Sequence, residues 1–190
     1  MKQGTVWVVA GAPGSGKTTV ARALARLLDP PGALLDKDTM YGEFVAATLK
    51  ASGRPFGERE GAWYDENVKA HEYRGMVQTA REIRFSGCPV VLCAPFTSQI
   101  RDGQLWHEFA QDLGGEQVRL LWVRNDPRTL KERLLTRGSP RDGQKLDRFE
   151  EFTAAAKPDS PPTVAHTVLD NTGSLIELTA RLQHVLAQSS

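Results

Sequence analysis

Cysteine is scarce in this 190-residue chain: there are two, Cys88 and Cys93, bracketing a stretch that reads as a β-strand. Extended over that separation they stand about 16 Å apart, beyond disulfide reach. The four histidines, His71, His107, His166 and His184, are scattered, and no Cys/His pair has zinc spacing. A disulfide scaffold and a zinc module are thereby excluded, and the thiols read as buried and reduced. An excess of one charge is also missing. Lys plus Arg number 24 and Asp plus Glu 23, a formal net charge of +1, which argues against a dedicated nucleic-acid or membrane-surface binder and leaves room only for a local basic cleft. No apolar run exceeds the length of a strand, and residues 1–4 lead into the first such run without the hydrophobic segment of a signal peptide. A cytoplasmic protein is expected. Repeats and low-complexity tracts are absent, and no helix offers a spare apolar stripe that would set an oligomeric state.

What is present is ordinary globular composition, 40% apolar and 25% charged, in a length suited to one well-cored domain spanning 1–190. The stretch Gly11, Ala12, Pro13, Gly14, Ser15, Gly16, Lys17, Thr18 satisfies G-x-x-x-x-G-K-[ST] at every fixed position. Its flanks are those the pattern requires. Thr5 to Ala10 is apolar and β-branched, and Val20, Ala23, Leu24, Leu27 and Leu28 recur at helical spacing afterwards. Glycines at 11, 14 and 16 let successive N–H groups point inward, and the helix N-terminus adds partial positive charge, so the turn cradles phosphates. Lys17 then reaches the β- and γ-phosphates, the Thr18 hydroxyl ligates Mg²⁺, and Thr19 follows beside them.

The rest of the chain alternates strands with helices, which predicts a parallel sheet covered on both faces. Expected strands are Ala33 to Asp36, Pro89 to Ala94, Val118 to Val123 and Val164 to Leu169. Expected helices run from Thr39 to Lys50, from Trp63 to Phe85 with Met76, Val77, Ala80 and Ile83 inward, and from Leu105 to Leu113. A further helix starts at Asp126-Pro127, an N-cap and N1 pair, and ends at Arg137 before Gly138-Ser139-Pro140. The charged segment 141–156 is expected to be helical, 157–162 is a proline-rich connector, and the final helix carries Leu175, Leu178, Leu182 and Val185. The glycine-broken stretch 51–62 reads as a binding loop or lid.

Asp36 and Asp38 close the second strand beside the phosphate loop, at the crevice where open α/β sheets bind ligands. Either they serve chemistry there or they cap the following helix. Arg133 and Arg137 are four apart and share a helix face. The turn Asp170, Asn171, Thr172, Gly173 is either a nucleobase contact or only a turn.

The phosphate loop, the Asp-x-Asp after the second strand and the Arg-x-x-x-Arg before a charged segment together resemble the P-loop kinases of small molecules. Among these the chain is most similar to bacterial proteins termed AAA-family ATPases, relatives of zeta toxins, chloramphenicol phosphotransferase and the kinase domain of phage polynucleotide kinase. The likeness runs from Val6 to about Leu186. It implies a P-loop NTPase three-layer α/β/α sandwich with a five-stranded parallel sheet, nucleotide-kinase-like, with a helical lid at about 137–157 and an acceptor-side insertion at about 50–75. The implied activity is transfer of the γ-phosphoryl group of ATP, with Mg²⁺, to a hydroxyl of a small molecule. Rival readings are a polynucleotide 5′-hydroxyl kinase and a catalytically weak nucleotide-binding regulator. By the same resemblance Asp38 faces the acceptor hydroxyl as base, Asp36 assists Mg²⁺ through water, Arg133 lies at adenine, Arg137 at the phosphates, and Arg141 swings in with the lid. Asn171 falls to the nucleotide, while Arg101 and Arg54 are acceptor candidates, with Arg59 in the same loop and Trp63, Tyr64 and Tyr73 as aromatic lining. One departure stands out. Relatives carry an Asp near the end of the third strand where this chain has Cys93, and a thiol does not suit a hard ion such as Mg²⁺.

Overall fold

The structure, a computed structural model, describes residues 3–171 and 174–188. Five strands form one parallel sheet in the order β2-β3-β1-β4-β5: β1 (Val6–Ala10), β2 (Ala33–Asp36), β3 (Val90–Cys93), β4 (Val118–Arg124) and β5 (Thr167–Asp170). All residues of β1 and β3 are buried. Both strands are apolar on both faces, as strands in the middle of a two-sided sheet must be.

Two apolar layers follow from the strand alternation. On one face Val6, Val8, Val90, Leu92 and Leu120 pack with Met76, Ala80, Phe109 and Leu113, which belong to α4 (Ala70–Phe85) and α5 (Gly103–Leu113). On the other, Trp7, Val9, Val91, Leu121 and Leu169 pack with Val20, Leu24, Leu178 and Leu182 from α1 (Lys17–Leu27) and α9 (Leu175–Gln188). The result is the expected α/β/α sandwich. Each fully buried Leu or Val contributes roughly 1.5–3 kcal/mol relative to exposure, so the two faces anchor the sheet that presents the site.

The helix expected to begin near Thr39 starts earlier, as α2 (Lys37–Ala51), because Asp36 caps it. The long helix up to Phe85 is present but not uniform: α3 (Ala62–Tyr64) passes through a π-helical segment (Asp65–Lys69) into α4. Such π turns are frequent at functional sites. Val45 and Leu49 of α2 pack on Tyr64 and Val68 in a small satellite core. Helix α6 (Pro127–Arg137) has the expected bounds, with Asp126 accepting from the Thr129 N–H and Gly138 left-handed at φ 56°. Beyond it, a 3₁₀ turn (Pro140–Asp142), α7 (Gly143–Asp147) and α8 (Phe149–Ala156) cover Leu130, Leu134 and Ala12 with Leu146, Phe149 and Phe152.

Two expectations require correction. Strand β5 begins three residues later than Val164, because Thr163 donates its N–H to the Ile100 carbonyl at 3.1 Å and Val164 packs against the core instead of pairing. Leu175 is 62% exposed, since the apolar packing of α9 begins only at Leu178. Cys88 is half-buried and Cys93 buried, and both are free.

Candidate active site

The phosphate loop joins β1 to α1 at the carboxyl edge of the sheet. Gly11 and Gly16 hold φ of 152° and 84°, and neither position has room for a side chain. A Cβ at Gly11 would meet the Val123 carbonyl oxygen at 2.6 Å, and one at Gly16 the Asn171 Nδ2 at 2.1 Å. Lys17 Nζ donates to the Ala12 carbonyl at 2.8 Å, folding the ammonium over the loop. Burial pushes the Lys17 pKa down, an effect opposed by the Asp38 and Asp36 carboxylates.

Asp36 performs two tasks at once. Its Oδ1 accepts the N–H groups of Asp38 at 3.0 Å and Thr39 at 3.1 Å, which caps α2. Its Oδ2 accepts the Thr18 hydroxyl at 2.8 Å, so the two residues expected at a metal are joined directly. Asp36, not Asp38, is the N-cap residue; Asp38 contributes its N–H to that cap. It stands in the first turn of α2 with its carboxylate 45% exposed, lining the same cleft as Lys17 and Thr18. Cys93 pairs with Asp36 across β2 and β3, and its Sγ lies 4.0 Å from Thr18 Oγ1. Burial pushes this thiol up to about 12. At neutral pH it is therefore an uncharged SH, which supplies no anionic ligand to a cation.

On the opposite side, Arg133 and Asn171 converge on one backbone atom, the Ser15 carbonyl, at 3.0 Å and 3.1 Å. Arg133 also donates to Asn125 Oδ1 at 3.1 Å and to the Asn171 carbonyl at 2.6 Å. Its donors are thus engaged in fastening the loop, while the side chain still lines the cleft. Arg137 grips Asp142 with two parallel bonds, Nε to Oδ2 at 2.8 Å and Nη2 to Oδ1 at 2.7 Å. Asp142 is 1% exposed, and this bidentate pair ties α6 to the covering segment. The Arg141 side chain, Thr172 and Gly173 lie outside the described residues.

The cleft between these walls has a volume of about 500 Å³. Tyr64 and Tyr73 line it, whereas Trp63 does not. Neither does Arg54, which pairs with Glu58 and lies 4.1 Å over the Trp63 ring. Arg59 of the same loop lines the cleft in its place. Arg101 is also turned away: its guanidinium donates to the carbonyls of Lys157, Ser160 and Pro161 at 2.8, 2.7 and 2.6 Å. Both arginines were expected at the acceptor, and each instead commits terminal guanidinium donors to groups of the protein itself.

Sequence reading missed a buried polar group beneath the cleft floor. Glu72, 3% exposed, accepts Lys37 Nζ at 2.9 Å on one oxygen and the Tyr64 hydroxyl at 2.8 Å on the other. Lys37 Nζ also lies 3.8 Å from Asp38 Oδ1. The available signal was periodicity, since Glu72 falls four and eight residues before Met76 and Ala80 on the inward stripe of α4. Nearby, Phe96 is fully buried in the left-handed region at φ 50°, with its N–H donated to the Tyr73 hydroxyl at 3.2 Å. Strain of this kind costs of order 1–3 kcal/mol and collects at functional sites.

Known proteins share this chain's family and fold. A family described as "AAA domain" matches residues 6–158. A protein of Aeropyrum pernix described as a probable adenylyl-sulfate kinase is 25% identical over 189 residues, covering 93% of this chain and 88% of its own length. A sugar kinase from Janibacter sp. HTCC2649, solved without ligand, shares the fold at a TM-score of 0.65 and 18% identity, over 97% of this chain and 95% of that one. The APS kinase of Mycobacterium tuberculosis, solved with AMPPNP and APS, shares it at 0.59 and 20% identity, over 98% and 99% of the two chains.

Proposed function

The chain belongs to the AAA domain family, and from that premise we propose that it is an ATP-dependent phosphotransferase that moves the γ-phosphoryl group to a hydroxyl of a small molecule. The observation that carries this reading is the placement of Asp38 in one cleft with Lys17 and Thr18. A carboxylate in that position orients an acceptor hydroxyl and takes its proton, which is the principal help that phosphoryl transfer asks of a side chain. The acceptor oxygen forms its bond to Pγ as its proton passes to Asp38, the bond from Pγ to the β,γ-bridging oxygen breaks, and the electron pair leaves with ADP.

Lys17 exchanges the Ala12 carbonyl for phosphate oxygens when ATP binds, and Arg137 supplies charge from the end of α6. The oxygens of Thr18 and Asp36 are hard donors that fit Mg²⁺, whereas the neutral Cys93 thiol does not. Mg²⁺ held there would neutralise phosphate charge. We assign the segment from about 137 to 157 as the lid and that from about 50 to 75 as the acceptor-side insertion of a single domain.

The test is ADP release by the parent and by Asp38→Asn over a panel of alcohols, with nucleotide binding followed separately. Transfer lost with ATP binding kept is expected; equal activity in the two proteins rejects Asp38 as base. Cys93 favours one rival, a nucleotide-binding regulator, which tight ATP binding without turnover on any alcohol would support.

A further inference from the structure

The cations around the cleft are mostly committed within the protein. Lys37 is held by Glu72 and Lys69 by Asp65, each at 2.9 Å. Arg137 is held by Asp142, and Arg133 by carbonyl groups. Arg59 is different. It lines the cleft, no carboxylate among the described residues pairs with it, and its Nε is buried without a hydrogen-bond partner. Its hydrogen bond is a long one, from Nη2 to the Gly42 carbonyl at 3.4 Å, and the Phe56 ring lies 5.7 Å away. Withdrawing a guanidinium donor from water without an acceptor is costly, and the planar fork is shaped for the two oxygens of a carboxylate or phosphate.

Position gives the ligand its size. Gly42, which Arg59 touches, follows Asp38 by four residues on α2, about 6 Å along the helix axis. Thr97 and Ser98 add hydroxyls to the same cleft. Neighbouring Glu60 also lines the cleft, but its side chain is exposed and it forms no ion pair with Arg59.

We propose that the acceptor is a small anionic polyol, bearing a carboxylate or a phosphate that Arg59 binds while the reacting hydroxyl lies at Asp38. The proposal rests on the phosphotransferase reading, and the experiment separates the two. Glycerol, glycerate and glycerol phosphate, with the larger set glucose, gluconate and glucose 6-phosphate, are compared as acceptors for ADP release. Each is also titrated calorimetrically into protein loaded with a non-hydrolysable ATP analogue. An anionic member is expected to exceed its neutral counterpart at least about tenfold in kcat/KM, the strength of a charge-assisted contact. Whether the carboxylate or the phosphate member leads identifies the anion. Arg59→Gln should raise KM for that acceptor at least about tenfold with kcat and KM for ATP little changed, and Arg59→Lys should fall between. Binding of an anionic member without turnover keeps the anion site and removes the kinase reading. Preference for the neutral members, an unchanged KM in Arg59→Gln, or no binding by any anionic member overturns the proposal.

Discussion

Lys37 and Glu72, 35 positions apart in sequence, meet as a buried ion pair of 2.9 Å that joins the first turn of α2 to α4. Removing Lys37 leaves the buried Glu72 carboxylate with only the Tyr64 hydroxyl, and removing Glu72 leaves Lys37 with only the more distant Asp38. Lys37→Met or Glu72→Leu alone should therefore cost about 3–5 kcal/mol, and the double variant should recover most of that loss. Urea denaturation of the three variants measures the difference, and additive losses in the double variant would refute the pairing as the source.

Asp38→Asn removes the base but leaves the phosphate loop untouched. Its kcat is expected to fall by about 10²–10⁴, while the affinity for a fluorescent ATP analogue stays within a factor of about two of the parent, as for a group acting in the transition state. Lys17→Ala should lose both properties.

Replacing Cys93 by Asp restores an oxygen donor next to Thr18 Oγ1. The Mg²⁺ concentration giving half-maximal transfer should drop roughly tenfold, the scale on which a ligand's close neighbours tune metal affinity. A magnesium titration of the variant and the parent compares the two directly.

The same thiol makes the protein sensitive to alkali. Its pKa is raised from 9.0 to about 12 in the folded state, so its contribution to stability is complete below pH 9 and is lost as pH rises towards 12. Burial raises Tyr64 and Tyr73 in the same sense, while the lowered pKa of Lys17 acts in the opposite one. The difference between parent and Cys93→Ala isolates the thiol: the urea midpoint of the parent should decline more steeply from pH 9 upward.

Arg101 offers a contrast with Arg59. Since its guanidinium binds three carbonyls of the 157–161 connector, Arg101→Ala should cost about 1–3 kcal/mol in stability, the scale of lost charged hydrogen bonds. It should leave KM for the acceptor unchanged. Thermal unfolding and acceptor titration together distinguish this scaffold role from substrate contact.

The phosphate loop was legible because its demands are local: glycines at fixed offsets, an apolar strand before, a helix after. Helix α6 was legible for the same reason, since Asp126, Pro127 and Gly138 mark its ends within a few residues. The arginines were not, because a long side chain's destination depends on segments remote in sequence. Arg101 finds carbonyls some 60 positions away, and Arg54 finds Glu58 within a loop whose course no local pattern fixes. Glu72 was hidden by its partner, as a carboxylate on an inward stripe makes sense only once Lys37 lies opposite. Strand β5 slipped because a four-residue edge strand carries little pattern and the pinned connector before it decides where pairing begins.

The covering segment is held down by two unlike forces. Leu130 and Leu134 meet Leu146, Phe149 and Phe152 in an oily seam, and the Arg137 clasp on Asp142 closes its margin. Apolar burial weakens on cooling, so the seam between α6 and the covering segment is at its weakest in the cold, where the Arg137–Asp142 contact at its margin is the remaining tie.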